Sequence, residues 1–326
     1  MSRLERYQTV LVFAGVAVGL LTSQVEGVAA VADHLILPLL LVMLFAVFAR
    51  VPLPGLRQGF RNRRVVGSSL AVNFVWNPLL AVALGFVFLR DHPALWVGLV
   101  MLMVTPCTDW YLVFTDLADG DVPLATSLLP YNLVLQLVLL PVYLYLFADE
   151  LVDLPLGVLV ESVILVLVVP VVLASSARRL LPRLWGEDWF RESFLPLLSP
   201  LQVVFLVLAV TAMFASQGDA VVEDPWVLAL MALPVIVFYV VNFGVALAVG
   251  RYLELDYDEV VCLGCTVLSR NSPTALAIAV IAFPDEPVIA LALVVGPLLE
   301  LPLLSVVSRL FLGIRERGLW EQSGTA

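Results

Sequence analysis

Apolar residues run along this chain in stretches of about 20, the length at which a helix crosses the hydrocarbon core of a bilayer. The stretches fall at 7–24, 33–50, 66–89, 94–117, 122–147, 154–176, 195–216, 226–250, 259–283 and 287–312, with short polar loops between them. The pattern predicts an all-α membrane protein of ten transmembrane helices. Two stretches are interrupted in their middles. Leu95 to Ala118 is broken at Thr105-Pro106-Cys107-Thr108-Asp109, and Val260 to Phe283 at Ser269-Arg270-Asn271-Ser272-Pro273-Thr274. Lipid offers the backbone no hydrogen-bond partner, so a break at membrane depth survives only where protein or a wet cavity covers it. Proline alone does not mark such a break, since Pro78, Pro170 and Pro234 lie in ordinary spans. Proline combined with a run of polar and charged residues does.

Five stretches precede the acidic loop near Asp149 and five follow it. An odd number per half places the halves in opposite orientation, as in an inverted repeat covering 1–150 and 151–326. The broken spans 4 and 9 are then its equivalent fourth members. Paired broken helices in the two halves of a membrane protein point to the binding site of a secondary transporter. Arginine placement agrees with the count. With the N-terminus inside, every arginine except Arg90 and Arg270 falls on the cytoplasmic side, as the positive-inside rule requires. Both termini are expected in the cytoplasm of a prokaryotic plasma membrane. Met1 to Arg6 leads straight into an apolar stretch without a small-residue cleavage site, and reads as the start of the first span.

Composition strengthens the membrane assignment. Of 326 residues, 62% are hydrophobic and only 13% charged, about half the usual charged fraction of a soluble domain. All 17 basic side chains are arginine and the net charge is −10. No basic face suits nucleic acid. The three cysteines, Cys107, Cys262 and Cys265, lie inside apolar stretches, which argues against a disulfide framework. No nucleophile–base pair or metal cluster suggests an enzyme, no cofactor is expected, and His34 and His92 fall at span ends. The mixed basic, acidic and tryptophan-rich segment 178–193 is either an interfacial connector between the halves or a solvated loop.

Four ionisable residues fall inside predicted spans: Asp109, Glu161, Arg270 and Glu300. A charge at the bilayer centre costs about 2.5–3.5 kcal/mol even on a mild scale, so such residues pair or line a pathway. Asp109 and Arg270 lie in the two breaks and can pair where the breaks cross, either to fix packing or to bind substrate. Glu300 stands between Pro297 and Pro302 with no basic neighbour in sequence. It is either a proton carrier, its acidity weakened by burial, or an acceptor for freed backbone amides. Glu161 lies near a span end and reads as hydrated. Cys107 sits in the first break as a candidate soft ligand. Cys262 and Cys265 share a helix face. Asn73 with Asn77, Asn132 with Gln136, and Asn242 place amides inside spans, either as interhelical glue or as site lining.

The stretch from Pro106-Cys107-Thr108-Asp109-Trp110 to Leu117-Ala118-Asp119-Gly120-Asp121 resembles the fourth span of arsenite-efflux carriers in the bile acid/arsenite transporter superfamily. Asn271 with Ala275-Leu276-Ala277-Ile278-Ala279 resembles the ninth. Val294-Val295-Gly296-Pro297-Leu298-Leu299-Glu300-Leu301-Pro302 resembles the tenth. The resemblance implies ten spans in two inverted five-helix repeats, with a core bundle around crossed spans 4 and 9 and a panel bundle. It also implies arsenite export coupled to proton entry, with Cys107 as thiol ligand and Glu300 in coupling. The candidate substrate-binding set is Cys107, Asp109, Arg270, Asn271 and Ser272. In the sodium-coupled branch, a glutamate and a glutamine hold sodium on the ninth span; the matching positions here are Thr266 and Arg270. A guanidinium repels sodium there, so no sodium coupling is expected at that site. The alternatives are an organic-anion symporter whose substrate Arg270 binds, and a sensor that keeps the carrier fold without transport.

Overall fold

The structure is a computed structural model and describes residues 8–25, 27–50, 62–107, 110–148, 156–223 and 226–320. Every regular element among them is helical. Six helices are long and apolar enough to cross a membrane, and a seventh span is a helix pair bent by 50°, Val122–Gln136 with Val138–Phe147. Three shorter apolar helices accompany them. The described residues are those of a multi-pass helical membrane protein. Glu161, expected to be hydrated, is exposed.

Thirteen helices carry the argument. They are α1 (Gln8–Ser23), α2 (Val28–Arg50), α3 (Arg63–Phe88), α4 (Pro93–Met103), α5 (Trp110–Leu117), α6 (Val122–Ala148), α7 (Leu156–Val163), α8 (Val169–Trp185), α9 (Leu195–Glu223), α10 (Trp226–Tyr252), α11 (Tyr257–Leu268), α12 (Ser272–Ala282) and α13 (Pro287–Glu316). The two interrupted stretches are thus seen as the pairs α4/α5 and α11/α12. They pack into two compact units, each drawing on both halves of the chain.

The first unit holds α1, α2, α7, α8, α9, α12 and the start of α13. Its centre is α9 packed against α2 and α1. Small residues let the backbones approach: a Cβ on Gly19 would stand 2.6 Å from both the Phe214 Cβ and the Thr211 carbonyl. The C-terminal end of α2 is closed by arginine. Arg178 donates to the Ala49 carbonyl at 2.7 Å, and Arg50 to Gln202 at 2.9 Å. Cations there complement the helix dipole and satisfy end carbonyls. The segment 178–193, read from sequence as either an interfacial connector or a solvated loop, is helical, continuing α8 and turning at Gly186 (φ 90°) into a short helix at Glu187–Trp189.

The second unit holds α3, α4, α5, α6, most of α10, α11 and the end of α13. Three helices start together. Asn62 caps α3 by accepting from the Val65 N–H at 3.2 Å, and its amide donates to Glu259 of α11. Glu259 also accepts from the Asp256 N–H at 3.1 Å, and the Asp121 N–H ahead of α6 donates to the Asp258 carbonyl at 3.1 Å. The second unit therefore has a fixed base from which α3, α6 and α11 run side by side. α3 contains a π-turn at Val72–Trp76, which offsets the helical register at Asn73. The bend of α6 at Leu137 lies four residues before Pro141, which cannot donate to the Leu137 carbonyl.

Candidate functional site

The two breaks meet inside the second unit. The Cys107 N–H donates to the Ser269 carbonyl at 3.1 Å, and the Asn271 N–H to the Thr105 carbonyl at 2.7 Å. Together they form an isolated antiparallel bridge between Pro106 and Arg270. Each break therefore supplies the backbone partners that the other lost, which is how unwound chain is kept at membrane depth. Thr105 adds a local seal, its hydroxyl donating to the Met101 and Leu102 carbonyls at 2.9 and 3.0 Å.

Arg270 fills the space beside this bridge. Its side chain is 2% exposed. One terminal nitrogen donates to the Met103 carbonyl at 2.8 Å; the other donates to Asn73 Oδ1 at 2.7 Å and to the Val267 carbonyl at 2.5 Å. The guanidinium lies over the Phe238 ring, 5.4 Å from its centroid. Its Nε has no protein partner. Two carbonyls exposed by the helix ends, one side-chain amide oxygen and an aromatic face thus receive a charge that no ion pair within 4 Å neutralises among the described residues. Asp109, the partner expected from the sequence, lies with Thr108 outside the described residues.

Glu300 comes to the same place from α13. Its Oε1 accepts from the Arg270 main-chain N–H at 2.7 Å, and the carboxylate lies within electrostatic reach of the guanidinium. Its side chain is 5% exposed. Of the two readings open for Glu300, the structure contains the contact of the second: a carboxylate holding a backbone amide freed at a break. Tyr239 of α10, fully buried, stands within electrostatic reach of both Glu300 and Arg270.

Cys107 is a buried thiol in the bridged segment, in no disulfide. Its Sγ accepts from the Trp110 N–H at 3.3 Å, capping α5, and it too lies within electrostatic reach of Arg270 and Tyr239. Cys262 and Cys265 are buried on α11. Among the described residues, no group of three or more His, Cys, Asp or Glu side chains could hold a metal ion. Asn77 donates to Asn73 Oδ1 and to the Val267 carbonyl, both at 3.3 Å, so the predicted amide pair buttresses Arg270. Ser272 starts α12, buried, with its hydroxyl unpartnered. The second unit therefore brings together Cys107, Arg270, Asn271 and Glu300. The carbonyls of Met103 and Val267, and the aromatic residues Phe238 and Tyr239, join them without having been singled out from sequence.

The model of the Sodium Bile acid symporter family matches residues 37–224. The arsenical-resistance protein Acr3 of Corynebacterium glutamicum is 28% identical over 286 residues, which are 84% of this chain and 77% of that protein. The arsenical-resistance protein Acr3 of Alkaliphilus metalliredigens is 24% identical over 324 residues, 92% of this chain and 90% of its own. An uncharacterized transporter of Synechocystis is 26% identical over 285 residues, 81% of this chain and 74% of that protein.

Proposed function

This chain belongs to the Sodium Bile acid symporter family, and on that premise we propose that it exports arsenite, or a related metalloid, in exchange for protons. It is a transporter and not an enzyme. The observation that carries the reading is the bridged break: a single thiol, Cys107, held beside a buried cation and a buried carboxylate at the meeting of two broken helices. Trivalent arsenic is soft and thiophilic, and a thiolate-forming side chain is its natural protein ligand. The two arsenical-resistance relatives supply the substrate class.

In this reading Cys107 is the metalloid ligand, with Asn271, Ser272 and Asp109 completing the substrate contacts. Glu300 is the coupling group. When Glu300 binds a proton, Arg270 loses a nearby countercharge and the grip on the bridged break weakens. Release of the proton restores both. Arg270 acts as a tethered cation, its charge already spread over the oxygen atoms that a bound metal ion would need. That arrangement supports proton coupling over sodium coupling. It also disfavours an organic anion as substrate, because both terminal guanidinium nitrogens are engaged by Met103, Val267 and Asn73. The chain is read as ten spans in two inverted repeats, 1–150 and 151–326. It sits in a prokaryotic plasma membrane with both termini cytoplasmic.

Arsenite accumulation in cells lacking their own exporters tests the proposal. Expression should lower accumulation, and Cys107→Ser should abolish the effect at equal membrane abundance. Unchanged accumulation with the wild-type chain folded in the membrane would sink it.

A further inference from the structure

Two carboxamides of the second unit take no part in the contacts described so far. Asn132 and Gln136 lie one turn apart on α6, at 0% and 1% exposure. Neither the oxygen nor the nitrogen of either side chain has a protein partner. Four such atoms on one face of one helix are unusual, because buried polar atoms are nearly always paired, and an orphaned one costs about 1–3 kcal/mol. Amides acting as interhelical glue would be bonded to the neighbouring helices. These are not, although α6 packs against α3, α4, α5 and α11.

The starts of three helices of this unit, α3, α6 and α11, are joined at one base. Asn62, Asp121 and Asp258 are joined at that base by the contacts through Glu259 and the Asp258 carbonyl. Asn73, Asn132 and Ser269 each follow about eleven residues later, roughly 16 Å along their helices at 1.5 Å per residue. Asn132 on α6 and Ser269 at the end of α11 thus stand equally many residues from the joined starts, and Gln136 follows one turn after Asn132, next to the bend of α6. Further orphaned polar atoms of the second unit are Asn73 Nδ2, Asn77 Oδ1, Ser269 Oγ and Arg270 Nε, beside the bridged break. These atoms include both donors and acceptors.

We infer that Asn132 and Gln136 are substrate-binding residues that recognise the hydroxyl groups of a small, neutral, polyhydroxylated solute. A carboxamide donates from nitrogen and accepts at oxygen, which matches a hydroxyl group, and it adds no charge to a site already holding one cation. Arsenous acid, neutral and carrying three hydroxyls at neutral pH, has that chemistry. The inference thus deepens the proposed function and rests on it for the identity of the solute. Thiol affinity alone accepts any trivalent arsenical; the carboxamides would supply discrimination by hydroxyl count.

The test compares wild type with the near-isosteric Asn132→Leu/Gln136→Met double variant. Uptake of arsenous acid and of methylarsonous acid, which replaces one hydroxyl with a methyl group, is measured in everted vesicles, alongside the thermal stability of the purified protein. A site built to bond a hydroxyl rejects the analogue lacking it. Wild type should prefer arsenous acid by at least about tenfold, and the double variant should lose that preference without losing Tm. A preference kept by the variant, or a Tm lowered by several degrees, would overturn the inference, the latter because it marks the pair as structural glue. If wild type carries neither arsenical, the metalloid reading fails on its own. The pair is then judged with boric acid, a trihydroxy solute without thiol affinity. Wild-type carriage lost in the double variant upholds hydroxyl recognition, and no carriage overturns it.

Discussion

At the scale of single residues, the site turns on a charge balance at membrane depth. Arg270 is tolerated because helix-end carbonyls, Asn73 and Phe238 surround it and Glu300 lies near. Removing one member of a buried polar set leaves the others unpaired, which costs more than the net worth of the contact. Arg270→Met should therefore destabilise the protein by about 3–5 kcal/mol, read as a lowered Tm and reduced membrane abundance. Glu300→Gln is a subtler change. Its amide oxygen can still accept from the Arg270 N–H, so folding should survive, but the side chain can no longer bind and release a proton. We expect a folded protein with a modestly lowered Tm, and arsenite movement that no longer responds to an imposed pH gradient, measured in vesicles. A variant with wild-type pH response would remove Glu300 from coupling. Cys107, Arg270 and Glu300 were legible as candidates because a thiol or a charge inside an apolar stretch stands out against lipid. The carbonyls of Met103 and Val267 were not, since every residue carries one and only the helix break exposes these two. Phe238 and Tyr239 stood unmarked in an apolar span for a similar reason: aromatic residues are ordinary there.

At the scale of elements, the breaks could be read from sequence because proline and a polar run cannot continue a helix in lipid. What the sequence did not reveal is how they satisfy each other: two main-chain hydrogen bonds and a bridge between Pro106 and Arg270, which depend on tertiary placement alone. The bend of α6 was also hidden, since prolines are common in spans and no run of polar residues marks the position of Leu137. The placement of α4, which ends in the first break, rests on close contact with α3. A Cβ on Gly85 would meet the Trp96 ring at 1.9 Å, and the nearest atoms belong to the indole rather than to a flexible chain end. Gly85→Ala should force Trp96 to move and cost about 1–3 kcal/mol through overpacking. Lower Tm together with a shifted tryptophan emission would report it. An unchanged Tm would mean that α4 can slide along α3, and that the break is held by the bridge alone.

For the whole molecule, the question is which ion gradient drives transport. A sodium site needs several oxygen ligands free to replace the hydration shell of the ion. In the second unit, the carbonyls of Met103 and Val267 and the Asn73 oxygen are already bonded to a guanidinium that cannot leave. Coulomb repulsion between that charge and an arriving sodium ion at about 4 Å amounts to roughly 4 kcal/mol at an effective dielectric of 20, or close to a thousandfold in affinity. In the proposed exchange, Arg270 stands in for a bound cation and Glu300 is the exchangeable group. Arsenite efflux should therefore be unaffected when external sodium is replaced by potassium or choline, and should collapse when a protonophore dissipates the proton gradient. Both follow from one arrangement of residues, so they succeed or fail together. Efflux that tracked sodium and ignored the protonophore would mean that a cation binds away from Arg270, and that the buried guanidinium serves packing rather than coupling.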